Sequence, residues 1–481
     1  MTRGRLAIHA HFYQPERRDP FGGRLRPDPS AAPFPSWNAR ITAECYRPNA
    51  DRGNLDRISF NVGPTLTAFL ASDAPDVLAR VALAAHHQNA LAQGFHHAIL
   101  PLASPRDRRT EVRWGIRDYQ VRFGHAPSGF WLPETAVDEA VLRTLAEEGI
   151  RWTVLAPWQA ATPGIESRRP HRVSLGGGWS LVVAFYDAAL SGAVSFQPEV
   201  TADADSFARD WVLSRTSSPL HRDSSSSWQA GSPLVLVATD GELYGHHQAF
   251  RDLFLERLVD PAVDRGFDVV PLGQALAAEE REALPPVRIA DRTSWSCHHG
   301  VLRWSAECPC AADGRWKQPL RAALERLAGG IDAVTEWRAA ALPGEPRADG
   351  QPTPVDPWAA RDAFVDVVLG LSTPQSFSAH LLSDRAPVPA RRELETLMEA
   401  QRWRLAMFAS DGWYWEEADR PETRHVLRCA ARAAQLVDGL AGTRLERRLI
   451  DDLALVIAPE RGIDGAAIYL EALAEVGRSP A

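Results

Sequence analysis

Histidines and carboxylates gather in this sequence where short apolar runs end. His9 and His11 close the first run, in His9-Ala10-His11-Phe12-Tyr13-Gln14-Pro15. Glu134 follows Gly129-Phe130-Trp131-Leu132-Pro133, and Asp240 and Glu242 follow Leu234-Val235-Leu236-Val237. Alternate residues of a strand point the same way, so both imidazoles can face one site. Carboxylates from the ends of two strands, joined by histidines from a third, suit an acid/base or a nucleophile/acid site. A lone carboxylate after a strand is more often a helix cap or an ion-pair partner. Three such clusters with Trp and His interleaved are harder to explain that way. Cleaving a glycosidic bond needs a proton donor for the leaving oxygen and a carboxylate across the sugar. Trp131, Trp158 and Tyr244 could offer apolar platforms to sugar faces, while most of the 16 tryptophans are expected in the core.

The elements that must position these residues alternate in type. Strands are predicted over 6–11, 95–102, 129–132, 152–155, 181–186 and 234–238. Helices are predicted over 76–89, 111–123 and 138–148. Such alternation implies a parallel sheet or barrel with helices outside, whose C-terminal strand ends form the active-site face. The Ser-rich stretch 214–232 reads as a mobile loop. Past Pro285-Pro286 strands become scarce. Helical stretches over 320–337, 359–371, 390–408 and 423–440 dominate, with a Pro/Gly-rich stretch at 342–357 between two of them. The expected division is a catalytic barrel over residues 1–285 and a mostly α-helical domain over 286–481 that contributes to the cleft.

Composition narrows the chemistry. The 481 residues are 45% hydrophobic and 24% charged, the balance of a globular protein rather than a disordered, fibrous or membrane-spanning one. There are 53 basic and 61 acidic residues, leaving −8, which argues against a nucleic-acid binder. Lys317 is the only lysine. It sits in Arg315-Trp316-Lys317-Gln318-Pro319, with neither the glycine-rich loop of a P-loop nor the apolar setting of a Schiff-base lysine. Five cysteines imply no disulfide framework and a reducing compartment. His9 interrupts the N-terminal apolar run too early for a signal peptide. No segment approaches the roughly 18 apolar residues of a membrane span. The expectation is a cytoplasmic protein with no cofactor and neither nucleic-acid nor membrane partners.

At these residues the sequence resembles family 57 glycoside hydrolases, over roughly residues 5 to 275. The His9-to-Pro15 run is similar to the family's first motif. The segment Gly129 to Glu134 is similar to the third, which carries the nucleophilic glutamate. Asp240-Gly241-Glu242-Leu243-Tyr244-Gly245-His246 is similar to the fourth, whose first aspartate is the acid/base. His97-Ala98-Ile99-Leu100-Pro101-Leu102 resembles the second-motif region of branching enzymes. The resemblance implies an α/β fold, a distorted (β/α)7 barrel followed by a mainly α-helical C-terminal domain. It also implies retaining hydrolysis or transfer on α-glucans without a metal. Glu134 is then the nucleophile and Asp240 the acid/base, so Asp240 is the carboxyl expected to titrate high. His9, His11 and His97 would line the subsite of the reacting sugar, with Glu242 and His246 as further candidates.

The C-terminal region resembles a domain of unknown function that accompanies some family members. Ser410-Asp411-Gly412-Trp413-Tyr414 is similar to the family's fifth motif, which makes Asp411 and Trp413 candidate substrate contacts. Cys297, His298, His299, Cys308 and Cys310 invite a zinc reading, but Cys308-Pro309-Cys310 lacks the spacing of the usual knuckle. A packed cysteine-rich turn, with His298 or His299 facing the active site, is expected instead. Two other functions compete. A metal-dependent sugar deacetylase would use His9, His11 and Asp240 as ligands. A glucan-binding protein that kept the fold would have no need for both carboxylates.

Overall fold

A computed structural model describes residues 3–25, 27–85, 89–217, 220, 232–346 and 352–477. The chain forms two compact units. The first comprises Met1–Pro15, Arg26–Phe95 and Gly115–Gly300; the second comprises Glu16–Leu25, His96–Trp114 and Val301–Ala481.

The first unit is built on strands β1 (Gly4–Phe12), β2 (Ser59–Val62), β3 (Ala90–Gln93), β4 (Gly129–Trp131), β5 (Trp152–Leu155), β6 (His171–Ser174), β7 (Ser180–Phe185), β8 (Leu234–Asp240) and β9 (Phe267–Val269). Seven of them run parallel in the order β7-β5-β4-β3-β2-β1-β8. β6 is antiparallel at the β7 edge, and β9 pairs with the N-terminal half of β1. Helices Pro64–Asp73, Pro75–Ala84, Glu139–Glu147 and Ala188–Phe196 fill the crossovers. The sheet curls around a core of Ala7, Leu91, Trp131, Val154, Ala184, Leu236 and Ala238. β7 and β8 meet through single bonds rather than a ladder: the Asp187 N–H donates to the Leu236 carbonyl at 2.7 Å. Ser191 Oγ accepts from the Ala238 N–H at 3.1 Å. This curled, incompletely closed sheet is the distorted barrel that the family resemblance implies.

One predicted strand is corrected. Residues 95–102 form no strand; the third barrel strand is β3, just before them. The reason is local. Glu111 takes both the main-chain N–H of His96, at 2.8 Å, and its imidazole, at 2.7 Å. His97 adopts a left-handed φ of 56°, and Pro101 sits in a 3-10 turn, Leu100–Leu102. The Ser-rich stretch falls largely outside the described residues; its first residues close a helix, Leu213–Ser217.

The second unit is helical, with Lys317–Ala339, Val388–Ala406, Pro421–Ala441, Leu445–Leu453 and Gly465–Glu475 its main elements. Alanines on the buried face of Pro421–Ala441 (Ala430, Ala433, Ala434) allow close helix packing. Inside the unit the fully buried Arg361 pairs with Asp107 at 2.8 Å and donates to Thr110 at 2.9 Å. Of the Pro/Gly-rich stretch, Pro343–Pro346 and Pro352–Pro354 form a two-stranded ladder, and residues 347–351 lie outside the described ones. No described helix is long and apolar enough to cross a membrane.

Candidate active site

Paired residues on neighbouring parallel strands point to the same side. In this sheet His11 pairs with Asn61 of β2 on one side and with Asp240 of β8 on the other. Gln93 pairs with Trp131. The C-terminal ends of β1, β2, β3, β4 and β8 therefore bring one layer of polar and aromatic side chains together. Asn61 organises it. Its amide nitrogen donates to Gln93 at 2.5 Å and reaches His11 Nδ1 at 2.9 Å, while its oxygen lies 3.1 Å from His9 Nε2. His9 Nε2 faces the amide oxygen, whereas His11 Nδ1 stands within reach of both the amide nitrogen, at 2.9 Å, and the amide oxygen, at 3.1 Å, so its role follows from its tautomer. Both rings stack on Trp131, with centroids 4.5 and 5.1 Å away. Burial lowers His9 to about 3, with repulsion from His11 adding to it, and lowers His11 to about 4. Both are neutral at physiological pH.

Glu134 stands on a strained turn beyond β4. It has φ 55° and Thr135 has φ 45°, two consecutive left-handed non-glycine residues. Such strain costs on the order of 1–3 kcal/mol each and persists only where the surroundings over-determine it. Here Gln159, with no exposed surface, donates to the Thr135 carbonyl at 2.8 Å. It also accepts from the Thr135 hydroxyl at 3.0 Å and the Ala156 N–H at 2.8 Å. The Trp295 N–H adds a bond to the Glu134 carbonyl at 3.1 Å. The half-buried Glu134 carboxylate accepts at Oε2 from Ser296 Oγ at 2.6 Å and the Trp295 indole at 3.2 Å. These two donors orient one oxygen.

Asp240 ends β8. Its residue surface is open, yet the protein crowded around it deprives the carboxyl of hydration. That crowding first, and the charge of Glu134 second, push Asp240 up to about 7. Glu242, two residues on, is enclosed. It accepts from the Tyr46 hydroxyl at 2.5 Å and the Tyr13 N–H at 3.2 Å. Burial pushes it up to about 8, opposed by the Tyr46 bond and helped by Asp240. Two carboxyls here hold protons near neutral pH, where the sequence singles out only Asp240.

Residues 60–282 match glycosyl hydrolase family 57, and residues 313–476 match a domain of unknown function, DUF3536. The family 57 match takes in the barrel from β2 onward. The fold of the chain is similar to that of an exo-type maltose-forming amylase from Pyrococcus sp. ST04, at TM-score 0.70 and 14% identity, covering 97% of this chain and 88% of that one. It is also similar to a family 57 branching enzyme from Pyrococcus horikoshii (TM-score 0.58, 15% identity, 97% of each chain). A third similar fold is the 4-α-glucanotransferase from Thermococcus litoralis (TM-score 0.54, 16% identity, 89% of this chain and 60% of that one). A comparison with curated protein sequences finds no match.

The remaining candidates fall into two groups. In the family 57 domain, Trp158 is 39% exposed, with its indole N–H fixed to the Ser294 carbonyl at 3.0 Å. It stands edge-on to Tyr186, at 6.0 Å, leaving ring surface open. Trp131 and Tyr244 are buried. The platform expectation for them is corrected: Trp131 is the floor under the histidines, and the Tyr244 carbonyl accepts from Asn49 at 2.6 Å. His246 pairs with Glu44 at 2.5 Å. His298 lies beside Trp158, at 5.7 Å, while His299 turns to cysteines. In the second unit, His97 Nδ1 is 2.7 Å from Ser410 Oγ. Asp411 begins the short helix Asp411–Tyr414. Trp413 is fully buried and presents no face to a ligand. Asn61, Gln93, Tyr46, Gln159, Trp295 and Ser296 complete the site without having been singled out by the sequence.

Proposed function

We propose that the protein is a retaining glycoside hydrolase or transglycosylase acting on α-glucans, with Glu134 as nucleophile and Asp240 as acid/base. The observation that carries this reading is the division of labour between the two carboxyls. One is oriented by two donors, and the other is pushed up to about 7 partly by the first one's charge. A carboxyl that keeps its proton beside a charged one is suited to the acid role. In the first step Asp240 protonates the leaving oxygen while Glu134 attacks the anomeric carbon and forms a glycosyl ester. In the second, Asp240, now ionised, takes the proton of a water or sugar hydroxyl that attacks the same carbon and releases Glu134. Neutral His9 and His11 suit such a site, because an imidazolium there would repel the cationic transition state. The α-glucan substrate is supported by the family and by the amylase, branching enzyme and glucanotransferase of similar fold.

Azide separates the two roles. Asp240→Ala, given an α-glucosyl fluoride, should form the intermediate without an acid and yield a glucosyl azide of retained configuration. In Glu134→Ala azide should occupy the vacated space and yield the inverted product. NMR of the anomeric proton reads both. Inverted azides from both variants, or near-native activity of Glu134→Ala, would overturn the assignment. Product lengths from maltooligosaccharides, amylose and glycogen then distinguish hydrolysis from transfer.

A further inference from the structure

Three of the five cysteines meet within one continuous stretch of fourteen residues, Cys297 to Cys310. One ligand atom each from Cys297, His299, Cys308 and Cys310 lie within 4.8 Å of one another. In a tetrahedral zinc site with Zn–S bonds of about 2.3 Å, neighbouring ligands are about 3.8 Å apart. The four atoms therefore need to draw in by about an ångström. Three thiols and one imidazole are a common donor set of closed, structural zinc sites. A hydrophobic turn has no reason to gather them.

The backbone is shaped for this convergence. Gly300 adopts φ +71°, and a Cβ there would lie 2.2 Å from the Arg292 carbonyl oxygen. Only glycine fits the reversal that follows His299. Its N–H closes the turn onto the Cys297 carbonyl at 3.0 Å, and Ser294 Oγ bonds the Gly300 carbonyl at 2.9 Å. Cys297 and Cys308 are buried, while His299 and Cys310 are exposed, so two ligands are anchored inside and two leave a path for the ion.

We propose that Cys297, His299, Cys308 and Cys310 bind one structural zinc ion. Binding takes the three thiols to thiolates and releases their protons to solvent. The residues just before Cys297 are Trp295 and Ser296, the two donors to Glu134. The ion thus ties down one end of the strap that orients that carboxylate, without itself touching substrate. The ion is a staple and not a catalyst, so the proposal stands or falls independently of the glycosidase reading.

The test uses the full-length protein, without an affinity tag, purified under reducing conditions with no chelator. Elemental analysis should find about one zinc per chain, released by a mercurial as thiols are modified. Cobalt(II) added to the metal-free protein should give thiolate-to-cobalt charge-transfer absorption. Cys308→Ala/Cys310→Ala should lose both signals, whereas Cys45→Ser and Cys429→Ser should keep them. Removing zinc should speed tryptic cleavage after Arg303 or Arg315 by at least about tenfold. The proposal is overturned if wild-type protein holds no stoichiometric metal and shows no cobalt–thiolate band. A disulfide among these cysteines in protein trapped from cells would overturn it too, as would cleavage rates indifferent to the metal.

Discussion

Replacing Glu242 by Gln separates the charge of this carboxyl from its hydrogen bonds. Glu242 is 4% exposed, and the Tyr46 hydroxyl and Tyr13 N–H both donate to its Oε1. A glutamine oxygen can accept both. The folded carboxyl sits at about 8, against an ordinary value of 4.5. Between those values the native state keeps a proton that the unfolded chain has released. The folded value is the raised one. The stability contributed by this proton is therefore whole below about 4.5 and is lost as pH rises through about 8. The slope is about 1.4 kcal/mol per pH unit, or about 5 kcal/mol over the whole window. Urea unfolding followed by tryptophan fluorescence, from about pH 5 to about pH 9, should show wild type losing ground to Glu242→Gln at that slope and levelling off above about 8. Two stability curves that stay parallel across the range would refute the reasoning, because Glu242 would then titrate alike in both states.

Asp240 sets a second pH dependence, on turnover rather than on stability. Its proton is the one delivered to the leaving group, so kcat/KM should fall as pH rises through about 7. On a glucosyl fluoride, whose leaving group needs no proton, wild type should lack this limb while keeping it on maltooligosaccharides; a limb that persists on the fluoride would assign the titration to another group. Gln159→Leu strips the Glu134–Thr135 turn of its clamp. It leaves the Thr135 carbonyl and hydroxyl and the Ala156 N–H unsatisfied, at about 1–3 kcal/mol each. In steady-state kinetics kcat should drop on the order of a hundredfold with KM little changed; an unaltered kcat would disconnect the turn from catalysis.

The strands legible in the sequence are those buried on both faces. β4, β5, β7 and β8 are short continuous apolar runs, which is how an interior parallel strand reads. The carboxylates that end β8 and follow β4 were legible with them, because a strand end is a local feature. β2 and β3 escaped notice for a reason tied to function. Asn61 and Gln93 are polar because they build the site, and in runs of four residues one such residue erases the apolar signal. The segment 95–102 read as a strand because Glu111, which takes the hydrogen bonds of His96, lies 15 residues further along the sequence.

What the sequence by itself determined was the inventory: a glutamate and an aspartate at strand ends, a His-x-His strand, a globular protein's composition and a single lysine. Only the tertiary structure decided the state of each group. Trp131 and Trp158 are alike in sequence, but one is enclosed beneath two imidazoles and the other keeps an open face. Asp240 and Glu242 are two residues apart and both titrate high, yet Asp240 is reachable and Glu242 is sealed behind Tyr46. Glu134 takes its two donors from residues 161 and 162 positions further along the chain. Hydration and hydrogen bonding depend on neighbours in space. Those neighbours come from distant parts of the chain, where periodicity and motif spacing carry no information.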